Sequence, residues 1–135
     1  MNKKIFVYWF PVIIWAGIIF WLSSIPDLKS DLKEDFILRK MAHILEFAIL
    51  TFLLFRAISV QGALPTGRQG SIHGGNKAII YSLIIALFYA FSDELHQLFV
   101  EGRQCSFRDV GIDSIGILIT SVLCYIKNRI KSPTY

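Results

Sequence analysis

The chain has 135 residues, of which 54% are apolar, 14% aromatic and 18% charged, with a net charge of +4 and a mean hydropathy of +0.54. An ordinary soluble domain carries about 25% charged and about 45–50% apolar residues, and a disordered chain combines low hydropathy with high net charge, so both classes are excluded. Two cysteines cannot build a disulfide scaffold, and the length predicts one membrane unit with no separate soluble catalytic domain beside it.

The first element is the charge-free run from Ile5 to Pro26, which gives a span over about residues 5–25. At ~1.5 Å per residue it crosses a hydrocarbon core of about 30 Å. Trp9, Trp15 and Trp21 are scattered through it, and Pro11 predicts a kink in its first half. A cleaved signal peptide is the competing reading, but the run exceeds a signal core and no small-residue cleavage motif follows. Asp27, Asp31, Glu34 and Asp35 then alternate with Lys29, Lys33, Arg39 and Lys40, a solvated and partly helical approach to the next span.

The second span, about 41–60, is interrupted by His43 and Glu46 near one end and Arg56 near the other. Residues 61–77 hold five of the nine glycines together with Pro65, show neither helix nor strand periodicity, and read as a flexible loop. Their glycines lack the adjacent Lys-Ser/Thr of a phosphate-cradling loop. The third span, about 78–97, is uncharged from Ala78 to Ser92 and gains spanning length through Asp93, Glu94, His96 and Gln97. A short turn containing Gly102 leads to Ser106 and Asp109, a capping box opening the fourth span at about 108–127. The expectation is an all-α, integral membrane four-helix bundle.

The basic residues set an orientation. Lys3, Lys4, Arg56, Arg68, Lys77, Lys127, Arg129 and Lys131 fall on the side of the N-terminus; Lys29, Lys33, Arg39, Lys40, Arg103 and Arg108 fall on the other. The excess places both N- and C-termini in the cytoplasm. All ten acids lie in the opposite loops or the span ends adjoining them, so one face, the outer one, is expected to do the work. No stripe of Lys and Arg interleaved with aromatics suggests nucleic acid. The basic flank suits the lipid bilayer's anionic head groups. Cys105 and Cys124 are about 28 Å apart at helical rise, too far for a disulfide, and Cys124 reads as a small buried residue.

Charged groups inside a span cost at least ~2.5–3.5 kcal/mol each near its centre and therefore need a partner or a purpose. Here they fall in helical register: Lys40, His43 and Glu46 on the second helix; Asp93, His96 and Gln97 on the third, with Tyr89 one turn deeper; Asp109, Asp113, Gly116 and Thr120 on the fourth. Antiparallel spans bring these stripes to one depth, and Gly116 permits close backbone approach. Three readings stay open. A hydrogen-bonded network would hold the bundle together as a structural membrane subunit. His43-x-x-Glu46 with Asp93-x-x-His96 could complete a four-ligand divalent metal site, with Glu94 as the base of a hydrolase acting on lipid-linked phosphate. Lys40, Arg103 and Arg108 could grip a phosphate or carboxylate while His43 and Glu46 move protons. Arg103 and Arg108 could equally pair with Glu101 and Asp109. Arg56 is expected to snorkel, and His73 to be solvent-exposed without a role.

Three blocks carry a resemblance: Ser23-Ser24-Ile25-Pro26 after the first span, Lys40 through Glu46 and Phe47 opening the second, and Asp93-Glu94-x-His96-Gln97 followed by Gly102-Arg103, Ser106, Arg108-Asp109, Asp113 and Gly116. Together the chain resembles the VanZ-like family of small bacterial membrane proteins, named after the teicoplanin-resistance protein. The family pattern often has Pro where this chain has Glu101, and a shorter loop between spans two and three. The resemblance implies a multi-pass protein of the bacterial inner membrane. It also implies a shared polar constellation, and the confinement of every acid and both loop arginines to the outer side leads to the expectation that this constellation engages an anionic envelope lipid or cell-wall precursor, or interferes with lipoglycopeptide action such as that of teicoplanin. It assigns no catalytic role to any residue.

Overall fold

The computed structural model describes residues 3–26, 33–62, 72–103 and 107–131. They form four helices, α1 Lys3–Ser23, α2 Lys33–Gly62, α3 Ile72–Gln97 and α4 Phe107–Lys131. Each contains a segment long and apolar enough to cross a membrane, Phe6–Ser23, Ile37–Val60, Gly75–Gln97 and Phe107–Ile130. At 30 residues, α2 is about 45 Å long and outreaches a core of about 30 Å, so a few of its turns stand in the head-group region.

Two helix boundaries differ from the sequence expectation. The Gly-rich segment is shorter than a loop over 61–77: α2 continues through Gly62 and α3 begins at Ile72. Gly75 explains the early start of α3, because a Cβ there would meet the side chain of Asn128 on α4 at 2.4 Å, and Asn128 Nδ2 approaches Asn76 Oδ1 at 3.5 Å. Packing against α4 thus extends a helix that has no apolar period of its own there. His73 belongs to this first turn of α3 rather than to a loop. The helix of α1 also runs unbroken past Pro11. Ser106 and Cys105, and with them the capping box, lie outside the described residues, although α4 does begin at the next position, Phe107.

Contacts across the bundle fix the helix directions. Trp15 with Glu46 and Tyr8 with Arg56 set α1 antiparallel to α2. Ala16 with Tyr89 and Ser23 with Asp93 set α1 parallel to α3, and Lys40 with Asp109 and His43 with Asp113 set α2 parallel to α4. The chain therefore runs up-down-up-down. Helices α2, α3 and α4 pack against one another in all three pairings, while α1 lies on α2 and α3.

The core consists of Val12, Ile19, Phe47, Leu50, Leu54, Ala57, Ala86, Ala90 and Ile117. On α3, Ala78, Ser82, Ala86 and Ala90 recur every fourth residue and are all buried, a stripe of small side chains that lets neighbouring backbones come close. One such close approach is at Gly116, where a Cβ would stand 2.1 Å from the carbonyl oxygen of Ile44. The outward faces of all four helices carry Phe, Ile, Leu and Trp side chains, as contact with lipid requires.

Candidate functional site

The alternating directions bring the C-terminal ends of α1 and α3 and the N-terminal halves of α2 and α4 to one end of the bundle. Every acid whose side chain is described, Glu46, Asp93, Glu94, Glu101, Asp109 and Asp113, lies at that end. The polar stripes do not form a single cluster there. They divide into two seams.

The first seam joins α1 to α3. Asp93, 4% exposed, accepts hydrogen bonds at Oδ2 from Ser23 Oγ at 2.7 Å and Gln97 Nε2 at 2.9 Å. One turn on, His96 Nε2 is 3.0 Å from Ser24 Oγ, and its ring stacks on Phe20 with centroids 4.2 Å apart. Ser24 has a single hydroxyl proton, which it gives to the Phe20 carbonyl at 2.7 Å, so the network assigns the donating proton of the other bond to His96 Nε2. Tyr89, one turn deeper, donates its hydroxyl to the carbonyl of Ala16 at 2.7 Å.

Arg103 closes this seam. Backbone turns after α3 (Phe99 N to His96 O, Val100 N to Gln97 O, Arg103 N to Val100 O) and the left-handed Gly102, φ 80°, return the chain towards α1. Arg103 Nε then donates to Ile25 O at 3.0 Å, just past α1, and Nη2 to Leu22 O at 3.2 Å, a carbonyl that also accepts the Ile25 N–H, so the guanidinium ties down the turn before Pro26. These hydrogen-bond partners are neutral carbonyls; the sequence leaves open an anion grip and a pairing with Glu101, and the observed contacts leave part of the five-donor fork in play.

The second seam joins α2 to α4 in three steps. Lys40 pairs with Asp109, both side chains 23% exposed. One turn deeper, His43 Nδ1 stands 3.2 Å from Asp113 Oδ1, with His43 18% and Asp113 0% exposed. The backbones then meet at Ile44 and Gly116. Asp109 thereby pairs with Lys40 on a neighbouring helix, a partner that helical register alone does not identify. Removing one member of a buried pair costs about 3–5 kcal/mol, because the other is left charged and unmatched.

Glu46 stands within range of both seams. Glu46 is half-buried; its backbone carbonyl accepts the Trp15 indole N–H at 2.9 Å, and its carboxylate is within electrostatic range of His43, Asp93, Asp113 and Arg103. Asp93 is within the same range of His43 and Asp113. Glu94 is 1% exposed beside Asp93. The buried carboxylate oxygens that accept no hydrogen bond among the described residues include Asp93 Oδ1 and both oxygens of Asp113, whose Oδ1 has His43 Nδ1 as an ion-pair contact only.

The four candidate metal ligands are not gathered into one shell. His43 is engaged with Asp113 on one seam and His96 with Ser24 on the other, and among the described residues no three of His, Cys, Asp and Glu are placed to hold an ion. Ser23 and Ser24, which sequence reasoning noted only as part of a motif, are the α1 half of the first seam. Their position at the end of a charge-free run, just before Pro26, was the available signal. Cys124 is buried and free.

Comparison with curated proteins and with solved structures found no match. Comparison with protein families did: the VanZ/LLP1 family matches residues 6–128, a stretch that contains the first three spans, the fourth but for its last two residues, and both polar seams. The chain is a member of the VanZ/LLP1 family, built as a multi-pass membrane protein.

Proposed function

We propose that the acidic end of the bundle is a pocket for the phosphate-bearing head group of an anionic cell-envelope lipid or cell-wall precursor. The protein sits in a bacterial inner membrane with both termini in the cytoplasm and this pocket outward. Holding such a precursor lowers sensitivity to teicoplanin-type lipoglycopeptides. The observation that carries the reading is Arg103: a guanidinium fixed by the carbonyls of Leu22 and Ile25 at the end of the first span, and suited to bidentate contact with phosphate. The exposed Lys127 and Arg129 at the far end support the orientation.

The test is retention of a polyprenyl phosphate by the purified protein in nanodiscs. Arg103→Gln is expected to weaken retention about tenfold, the worth of one charge-assisted contact of about 1.4 kcal/mol. Equal retention by this variant removes the reading. For the finer part, the chain expressed in a teicoplanin-sensitive bacterium should lower its sensitivity and the variant should not; unchanged sensitivity with wild type removes that part alone.

A second reading, hydrolysis of the lipid-linked phosphate, is favoured by the His43–Asp113 pair. A buried carboxylate at Nδ1 orients the imidazole and stabilises its charged form, so that Nε2 can take a proton from an attacking water. The ligand set of His43, Glu46, Asp93 and His96 plays no part in this version. Release of inorganic phosphate from a polyprenyl diphosphate by wild type, and its loss in His43→Gln, separates hydrolysis from binding; no release from any lipid phosphate removes it.

A further inference from the structure

Two side chains from one short stretch of chain grip the last residues of α1. His96 Nε2 lies 3.0 Å from Ser24 Oγ, and Arg103 Nε donates to the carbonyl of the next residue, Ile25, at 3.0 Å. The turn between them, closed by Phe99 N to His96 O and Arg103 N to Val100 O, brings the imidazole and the guanidinium back to the same place. Both side chains are partly exposed. Their hydrogen bonds also fix what each presents outwards. Ser24 gives its one proton to the Phe20 carbonyl, so Nε2 of His96 carries the ring proton and Nδ1 of the neutral imidazole is a bare acceptor. No described residue donates to that nitrogen, and, unlike Nδ1 of His43, it is not closed off from outside. Phe20, stacked on the ring at 4.2 Å, and the bond to Ser24 together hold its plane and direction. Arg103 presents donors only. An acceptor beside a fork of donors fits a ligand that offers an O–H together with anionic oxygens.

We propose that His96 makes this site selective for a phosphate monoester: Nδ1 accepts the hydrogen bond of the ester's remaining O–H while Arg103 donates to its anionic oxygens. This rests on the phosphate-binding reading above and deepens it. A monoester has a second ionisation at about pH 6, so it still exchanges that proton in the neutral range. A diester, the linkage of ordinary bilayer phospholipids, has no O–H to offer, and its oxygens turn only lone pairs towards the bare nitrogen. A buried or crowded acceptor without a donor is unfavourable. Bulk lipid is thereby turned away at the span boundary, and a lipid that ends in a monophosphate is kept.

The experiment compares polyprenyl phosphate with its methyl ester, identical but for the lost O–H, as ligands of the full chain in nanodiscs. Wild type is expected to retain the free monoester about tenfold better, a difference of about 1.4 kcal/mol. His96→Phe keeps a stacked ring without nitrogens and should hold both lipids equally, at the level of the methyl ester. Ser24→Ala removes the partner that fixes the ring proton on Nε2, lets the tautomers exchange and should narrow the preference. Monodispersity on gel filtration identifies variants that remain folded, and the wild-type ratio is a test whether or not they do. Equal retention of the two lipids by wild type overturns the selectivity and leaves the Arg103 site standing. No retention of either overturns both. A preference that survives unchanged in folded His96→Phe overturns the assignment to His96. Inorganic phosphate that competes on equal terms overturns the lipid as the source of the phosphate.

Discussion

The two ends of the bundle handle charge in opposite ways. At the far end, Arg56 lies over the ring of Tyr8 at 4.9 Å and Arg129 bonds the hydroxyl of Tyr125 at 3.0 Å; both arginines are exposed. Long basic side chains near a helix end reach the head groups while their stems stay in lipid, so the contact of Arg56 with Tyr8 on α1 stays exposed and no buried partner is required. At the acidic end, Asp93 and Asp113 have one methylene each and cannot reach out. They are buried, and each is met by a residue from a different helix, Ser23 and His43 respectively. The lesson is one of reach: a basic residue near a span boundary says little about fold or function, whereas a short acid inside a span requires company.

That contrast can be broken first where the second seam closes. Gly116→Leu puts a side chain where a Cβ alone would be 2.1 Å from the Ile44 carbonyl, and loss of at least about 3 kcal/mol is expected as α2 and α4 are forced apart. Gly111→Leu, with nothing within 4 Å of its Cβ, is the control and should unfold in detergent at nearly the wild-type temperature. Asp113→Leu should cost about 3 kcal/mol by leaving His43 without its carboxylate, and the double variant with His43→Leu should recover much of that loss. Denaturant titration in mixed micelles reads both effects.

Smaller losses sharpen the comparison. Ser23→Ala removes one of two donors to Asp93 and should cost about 1 kcal/mol, loosening α1 rather than the whole bundle. Limited proteolysis around residues 24–32 would register this as faster cleavage, with α4 unaffected. At the far end, Arg56→Ala gives up an exposed cation–π contact and should cost less than about 0.5–1 kcal/mol. A loss there as large as at Asp113 would erase the distinction between the ends.

Much of this arrangement was legible in the sequence. The apolar runs give the four spans, helical register gives the polar stripes, and the placement of all ten acids towards one side gives the common depth. Gly116 was readable as a point of close approach because a small residue among bulky apolar ones has little other use in a span. The division into two seams was not legible. Periodicity shows which residues share a face, but the neighbour that a face meets depends on how each helix is rotated in the bundle. For that reason His43 and His96 read as members of one ligand set, although the first turns to Asp113 and the second to Ser24. Arg103 was unreadable for a related reason: its partners are backbone carbonyls of α1, and backbone groups carry no sequence signal. The early start of α3 follows from a contact with Asn128, more than fifty residues away in the chain.

The account depends on short charged and polar groups from different helices meeting inside the spans. A double-mutant cycle between His43 and Asp113 tests this most directly, with the stability of wild type, His43→Ala, Asp113→Ala and the double variant measured in the same micelles. A coupling of about 1–3 kcal/mol is expected. Strictly additive losses would mean that the two side chains do not interact, and that the buried step of the second seam is not there.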